Sequence, residues 1–368
     1  MMRALHDWRT EIGNASTLGV ARIAIGVCLF FHALRAGHDL TTVGYFADAF
    51  HAAMIPERFV ASRLVYSIIV AVELLLAILV TVGLRPRAAL FAATFLGLYV
   101  IACDRVQYHH NRYALLCFAF LLSFSPCDRA HVITGTPLAV GARTGPLWAQ
   151  RLAQVQLSII YIASGGSKLL DPDWRDGLVI GDRFARYGHQ ALERGVPQAL
   201  VDLMSRPLMT SGLAKLAIAT ELLLAIALWQ RRTRVFALWW GVMFHLTIEV
   251  TSRVEIFTLL TLAIYVLFAT PDYRARKFFY DRSRPTAKIA ARVVTLLDWL
   301  SRFEIKAWEP DALRTGHSIV IVRRDGSKAT GVRALAMIAR CVPALFPLWL
   351  PLAIVASFTR GGDASARA

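Results

Sequence analysis

Apolar runs of about 20 residues recur along the first 270 residues of the chain. Each is long enough to cross ~30 Å of hydrocarbon as a helix. Lipid offers no water to backbone groups, so a spanning segment must pair its own N–H and C=O groups, and helices do so within one segment. Eight runs are candidate spans, at 17–36, 64–84, 87–103, 113–125, 149–167, 209–229, 234–250 and 254–270, the fourth of them short. The expected fold class is an all-α polytopic membrane bundle of eight transmembrane helices, with a small C-terminal α/β domain behind it. Composition agrees. Of 368 residues, 18% are charged, against ~25% in soluble domains. That argues against a soluble enzyme, and a 56% hydrophobic content excludes a disordered chain. Residues 1–16 are polar and mixed in charge, and no small-residue cleavage site follows the first apolar run. They are expected to be a cytoplasmic lead-in, not a removable signal.

The formal charge is +16. From residue 271 onward, 17 Lys/Arg stand against 8 Asp/Glu, so more than half of the excess lies in the tail. A basic tail of this kind suits an anionic leaflet, and nucleic acid is not an expected partner. Membrane lipids are, together with a protein partner for the C-terminal domain. Arg85-Pro86-Arg87, Arg231-Arg232-Thr233-Arg234 and Arg274-Ala275-Arg276-Lys277 follow the second, sixth and eighth runs and belong on the inner side. Both termini are then cytoplasmic, in a multi-pass protein expected in a bacterial inner membrane. Val72-Glu73-Leu74-Leu75-Leu76-Ala77-Ile78 recurs as Thr220-Glu221-Leu222-Leu223-Leu224-Ala225-Ile226. Each is preceded by a long outer connection, 36–63 and the loop 168–208, and followed by a short basic turn, which suggests a 4+4 repeat of parallel topology over a domain spanning 17–272. The five cysteines form no Cys-x-x-Cys pair, and no metal site or disulfide framework can be argued.

Beyond 277 the pattern changes. Lys277–Asp281 and Phe303–Trp308 have strand character, Pro285–Leu300 has helical spacing, and Ser318–Arg323 leads into the turn Arg324-Asp325-Gly326-Ser327 and a helix at Val332–Arg340. This is the order of a small α+β domain, over 277–360. The apolar run 342–357 is broken by Pro343, Pro347 and Pro351 and is expected to dock or lie at the interface, not to form a ninth span.

Several polar groups stand where the membrane makes them expensive. Glu73 and Glu221 lie inside apolar helices, either paired with a basic residue, Arg22 being a candidate, or handling protons. Tyr108-His109-His110-Asn111-Arg112-Tyr113 opens the fourth run as a hydrogen-bonding cluster or, less readily, a metal site, because adjacent helical residues point about 100° apart. Lys168 ends the fifth run behind Tyr161 and the small residues of Ser164-Gly165-Gly166. It either snorkels to headgroups or, partly desolvated, serves as a base. His245 has Glu249 at i+4 and is either a buried neutral histidine or half of a His–Glu pair opening toward Lys168.

These stretches, in this order with Asp173-Trp174, Gly177, Phe244-His245, Phe257 and Pro271, resemble the HTTM family, the membrane domain related to vitamin K-dependent γ-carboxylase. The resemblance covers about residues 15–275. It implies Lys168 as the base that starts oxygenation of a reduced, vitamin K-like quinone, with His245 and His110 assisting. It also implies an outward-facing ligand site drawing on His109, Asn111, Arg112, Tyr161, Asp173, Trp174, Glu221 and Glu249. A non-catalytic scaffold, transporter or immunity-type protein is the alternative. The tail resembles the DCC family of thioredoxin-like oxidoreductases, named for Asp-x-x-Cys-x-x-Cys. Here the stretch runs from Asp281 through Arg284 to Ala287, so both thiols are lost. Without a thiolate there is no disulfide exchange, and the expectation is a redox-inactive docking module.

Overall fold

The computed structural model describes residues 10–41, 52–105, 108–133, 143–251, 256–269, 276–308 and 317–359. The chain divides into two compact units, Met1–Ala269 and Thr270–Ala368. In the first, a short strand β1 (Ile12–Asn14) leads into α1 (Ser16–Thr41), α2 (Arg63–Val82), α3 (Pro86–Cys103) and α4 (His110–Ser123). A second strand, β2 (Thr144–Pro146), leads into α5 (Trp148–Leu170), α6 (Pro172–Arg175), α7 (Leu178–Glu193), α8 (Gln198–Met204), α9 (Pro207–Ala227), α10 (Arg234–Thr251) and α11 (Phe257–Phe268). Each of the eight expected apolar runs is helical. Four of these helices, α1, α2, α3 and α9, are long and apolar enough to cross a membrane by length and composition. The fourth and eighth runs form helices of only 14 and 12 residues.

Helix ends follow local chemistry. Ser62 accepts the Val65 amide to cap α2, and Gly83 ends it in the left-handed region at φ 82°, where a side chain is strained. Pro86 opens α3 at the position where a missing N–H is harmless. α2 shows why bilayer and core select the same residue types. Leu64, Ile68, Leu75 and Ile78 point outward and exposed, while Tyr66, Ile69, Glu73, Ala77 and Val80 face inward. The outward face has lipid as its solvent, so both faces are apolar and only the inner one tolerates a carboxyl.

The packing has a recurring pattern. α1 packs on α2, α2 on α3, α3 on α4 and α1 on α4; α5 packs on α9, α9 on α10, α10 on α11 and α5 on α11. Across the two sets, α1 meets α11 and α4 meets α5. β1 and β2 pair antiparallel with Gly13 opposite Gly145, each strand ending two residues before its helix begins. A large apolar core runs through the unit, including Leu18, Ile25, Leu90, Leu115, Leu157, Leu228 and Ile264, and a smaller one gathers Ala36, Tyr66, Ile69, Val70 and Cys103.

Two sequence expectations change here. Residues 168–208 are not an open loop but carry α6, α7 and α8. α7 is short and amphipathic, a periodicity hidden by its Gly, Arg and His residues. The candidate Arg22–Glu73 pair does not form. Arg22 is completely buried and its Nη1 donates to the carbonyls of Val80 and Thr81 at 2.5 and 3.3 Å. Its Nη2 donates to those of His131 and Ala130 at 2.5 and 3.4 Å. The last carbonyls of a helix have no partner in the helix itself, and Arg22 lies level with that end of α2. Glu73 is seven residues earlier, about 10 Å along the axis, and its Oε2 is buried without a hydrogen-bond partner.

In the second unit, β3 (Arg276–Asp281), α12 (Pro285–Leu297), β4 (Phe303–Trp308), β5 (Ile319–Val322), β6 (Lys328–Thr330) and α13 (Gly331–Cys341) follow in order. The sheet order is β4-β3-β5-β6, with β3 parallel to β4 and antiparallel to β5, and β5 antiparallel to β6. Phe278, Phe303, Ile321 and Ala329 of the sheet meet Ala291 and Val294 of α12 and Ala334, Ile338 and Cys341 of α13. A 3-10 segment, Pro343–Leu348, and α14 (Trp349–Phe358) close the described chain. At ten residues α14 rises only about 15 Å, too little to span.

Arg22→Met is expected to leave the end of α2 and the 130–131 carbonyls without donors, at a cost of about 2–4 kcal/mol. Thermal unfolding of the purified protein in detergent measures this. Arg22→Lys is expected to recover only part, because one ammonium cannot fork between two carbonyl pairs.

Candidate functional site

α5 supplies one polar stripe. Gln150, Gln154, Ser158, Tyr161 and Lys168 follow at spacings of four, four, three and seven residues, which keeps them on one face. Each finds a partner on a neighbouring helix. The Nε2 atoms of Gln150 and Gln154 donate to the Leu267 carbonyl of α11 at 2.7 and 2.8 Å. Ser158 donates to the Ala225 carbonyl of α9 at 3.2 Å and accepts from the Trp229 indole at 2.8 Å. Gly165 permits the close approach of α5 and α9, since a Cβ there would lie 2.9 Å from Leu222 Cγ.

Lys168 and Glu221 meet at the end of this stripe. Lys168 Nζ donates to Glu221 Oε1 at 2.5 Å, to Oε2 at 2.7 Å and to Ser164 Oγ at 2.7 Å. Their side chains are 16% and 9% exposed, so the pair is largely out of solvent. Lys168 therefore does not snorkel away from the bundle. Trp174 covers it, with Nζ 5.1 Å from the ring centroid and the Arg183 guanidinium 5.3 Å from the same ring. Two cations against one indole are a favourable electrostatic arrangement, and they hold α6 and α7 over the lysine. Asp171 caps α6 through the Asp173 amide, and Gly177, at φ 84°, turns the chain tightly against Thr210 and Ser211.

A second polar group lies behind the first. The Tyr161 hydroxyl hydrogen-bonds His245 Nε2 at 2.8 Å and also the Tyr265 hydroxyl. Gly241 leaves the space that the Tyr265 hydroxyl fills. Glu221 is within electrostatic range of both tyrosine hydroxyls, and Lys168 of His245. Two neighbouring polar groups are thus contributed by α5, α9, α10 and α11. His245 is 1% exposed, and its Nδ1 has no hydrogen-bond partner.

The expected residues divide between places. Lys168, Tyr161, Trp174, Glu221 and His245 come together. Glu249 does not pair with His245, which bonds Tyr161 instead. The Glu249 carbonyl accepts from Arg194, and its Oε2 is buried without a partner. Asp173 is exposed and gives its amide, not its carboxylate, to the turn. None of the partners of Lys168 or His245 comes from the cluster at the start of α4. There His109 precedes the helix and caps it, Nδ1 accepting the Asn111 amide at 3.2 Å. The His109 and His110 rings stack at 4.4 Å, and Arg112 is in electrostatic range of His32 on α1. His110 and Asn111 therefore belong to the α1–α4 side of the unit. Among the described residues no cluster of three or more His, Cys, Asp or Glu could hold a metal ion. Tyr265 escaped the sequence reading, because a tyrosine in an apolar helix carries no signal until its neighbours are known.

In the second unit, Asp281 ends β3 and accepts from the Ser283 amide at 2.8 Å and its hydroxyl at 2.6 Å. The Ser283 hydroxyl, then its amide and the nearby Arg284, holds the carboxyl below its ordinary range. Arg284 is the N-cap position of α12, and Ala287 is buried beneath it. The five cysteines are free thiols.

Removing one member of the Lys168–Glu221 pair leaves a buried lone charge. Lys168→Met and Glu221→Gln are each expected to cost about 3–5 kcal/mol, and the double variant to regain most of that loss. A double-mutant cycle on denaturation midpoints in detergent measures the coupling.

The HTTM domain matches residues 11–273, which is more than two thirds of the chain and takes in every residue of this neighbourhood. No curated protein and no solved structure matches the sequence. The apolar helices and the domain match make this a membrane protein related to the membrane domain of vitamin K-dependent carboxylase, and the chain belongs to the HTTM family.

Proposed function

We propose that the neighbourhood of Lys168, Glu221, Tyr161, Tyr265 and His245 binds a quinone-like lipid and that Lys168 is the base toward it. The observation that carries this reading is the near-buried Lys168–Glu221 pair set beside a histidine whose Nδ1 is unpartnered. A ring carrying two oxygens matches such a site. One oxygen can face the lysine and the other the tyrosine hydroxyls or His245. When bound, a reduced quinone would supply the oxygen-dependent redox chemistry. The chain supplies proton handling. Glu221 lies within hydrogen-bond distance of Lys168 Nζ and can take up its proton, which frees the amine to accept a phenolic one. Trp174 over Nζ limits water.

Architecture supports the same reading. The unit is proposed to be an eight-helix membrane bundle built as a 4+4 parallel repeat. Matching helix neighbours in the two sets, and a strand pair centred on Gly13 and Gly145, are what a two-fold axis along the membrane normal requires. The basic clusters that follow α2, α9 and α11 in the sequence favour an inner side that also holds both termini. Lys168 then opens outward. For the second unit we propose a redox-inactive thioredoxin-like domain. Its mixed β4-β3-β5-β6 order and the strand–turn–helix at Asp281–Ala287 support this.

The test uses the detergent-purified protein. Bound lipids are extracted and identified by mass spectrometry, and oxygen-dependent epoxidation of added naphthohydroquinones is followed in wild type, Lys168→Ala and Tyr161→Phe. The expected outcome is a co-purifying quinone and an epoxide yield reduced at least about 100-fold in Lys168→Ala, with a smaller loss in Tyr161→Phe. No quinone and no turnover in folded wild type would overturn the reading in favour of a non-catalytic scaffold or transporter.

A further inference from the structure

The end of the second unit carries an apolar face that its own core does not use. Leu348, Ile354, Val355 and Phe358 are 55%, 51%, 51% and 80% exposed. With exposed Pro351 they fall at spacings of three, three or four, and three or four residues, which is one side of α14 and the turn before it. The opposite side packs on α13, where Ala356 is buried. From Cys341 to Thr359 the sequence has no charged residue. Such a face in water invites association.

Two guanidinium groups flank this strip. Arg340 lies over the Trp349 ring at 5.8 Å, beside the first turn of α14. Arg333 Nη2 donates to the Thr359 carbonyl at 3.4 Å, beside the last turn. An apolar strip with cations at both ends and a tryptophan at one of them is the pattern of a helix lying in the lipid interface. The charge of the unit agrees, with 17 Lys/Arg against 8 Asp/Glu from residue 271 onward. The occupant must also be at hand. β3 begins eight residues after α11 ends, so the chain tethers this unit to the membrane-spanning one, and a bilayer surface is always at high effective concentration.

We propose that α14 seats the C-terminal unit on an anionic lipid surface. Leu348, Ile354, Val355 and Phe358 sink to the headgroup–acyl boundary, and Arg333 and Arg340 meet lipid phosphates. The helix lies on the membrane and does not cross it. This assignment is independent of the chemistry proposed at Lys168.

The test uses the full chain in nanodiscs, with a photo-crosslinking benzophenone amino acid at Phe358, at Ile354 or, as a control, at exposed Glu304 on β4. Discs contain either phosphatidylcholine alone or a mixture with phosphatidylglycerol. The expected result is a phospholipid adduct at 358 and 354 but not at 304. Its yield should be at least about fivefold higher with phosphatidylglycerol and fall several-fold in Arg333→Gln/Arg340→Gln. Crosslinks from 358 to another peptide of this chain or to a second copy would overturn the proposal. So would the absence of lipid adducts, or a yield that ignores phosphatidylglycerol.

Discussion

Hydrocarbon gives a polar side chain no partner, and this one constraint organises the membrane unit. Arg22 gathers four carbonyls from the end of α2 and from residues 130–131. Gln150 and Gln154 share the Leu267 carbonyl, so α5 and α11 are joined through a backbone group that has no partner within its own helix. Lys168 and Glu221 satisfy each other between α5 and α9. These bonds set which helices touch and in what register, while the apolar side chains around them supply close packing in lipid and core alike.

The candidate site is a consequence of the same requirement. A lysine held largely out of solvent at the end of α5 needs an anion, and the carboxylate of the facing helix is the one that packing brings to it. Gly165 and Gly241 matter because each removes a side chain where another group must come close, at Leu222 and at the Tyr265 hydroxyl. The polar atoms left over, His245 Nδ1 and Glu249 Oε2, lie on α10, adjacent to this neighbourhood. Glu73 occupies the corresponding position of the Glu-Leu-Leu-Leu segment in α2, yet among the described residues no lysine meets it, so the two similar sequences differ in their described partners.

Much of the fold was legible in the residues. Eight apolar runs gave eight helices, because length and hydropathy are properties of a segment alone. Strand alternation at Phe303–Trp308 and helical spacing from Pro285 gave the elements of the second unit for the same reason. The segment 168–208 was not legible as α6, α7 and α8, since short helices mixed with Gly and Arg resemble loops in composition. The candidate site was legible in part. Lys168, Glu221, Tyr161, Trp174 and His245 each stand out as polar or aromatic residues in or beside apolar helices. Their grouping does not, and the sequence pointed equally to His109–Arg112, Asp173 and Glu249, none of which bonds to Lys168 or His245.

The sequence by itself determined that the chain belongs in a membrane, where its apolar helices run and which residues are too polar to face lipid, because the cost of placing a segment in hydrocarbon is set by its own composition. Only the tertiary structure decided that Lys168 pairs with Glu221 and not with headgroups, that Arg22 serves carbonyls and not Glu73, and that His245 turns to Tyr161 and not to Glu249. Partner choice among buried polar groups depends on distances of about 3 Å between helices far apart in sequence. Those distances are fixed by how the helices pack, to which every residue at the interfaces contributes.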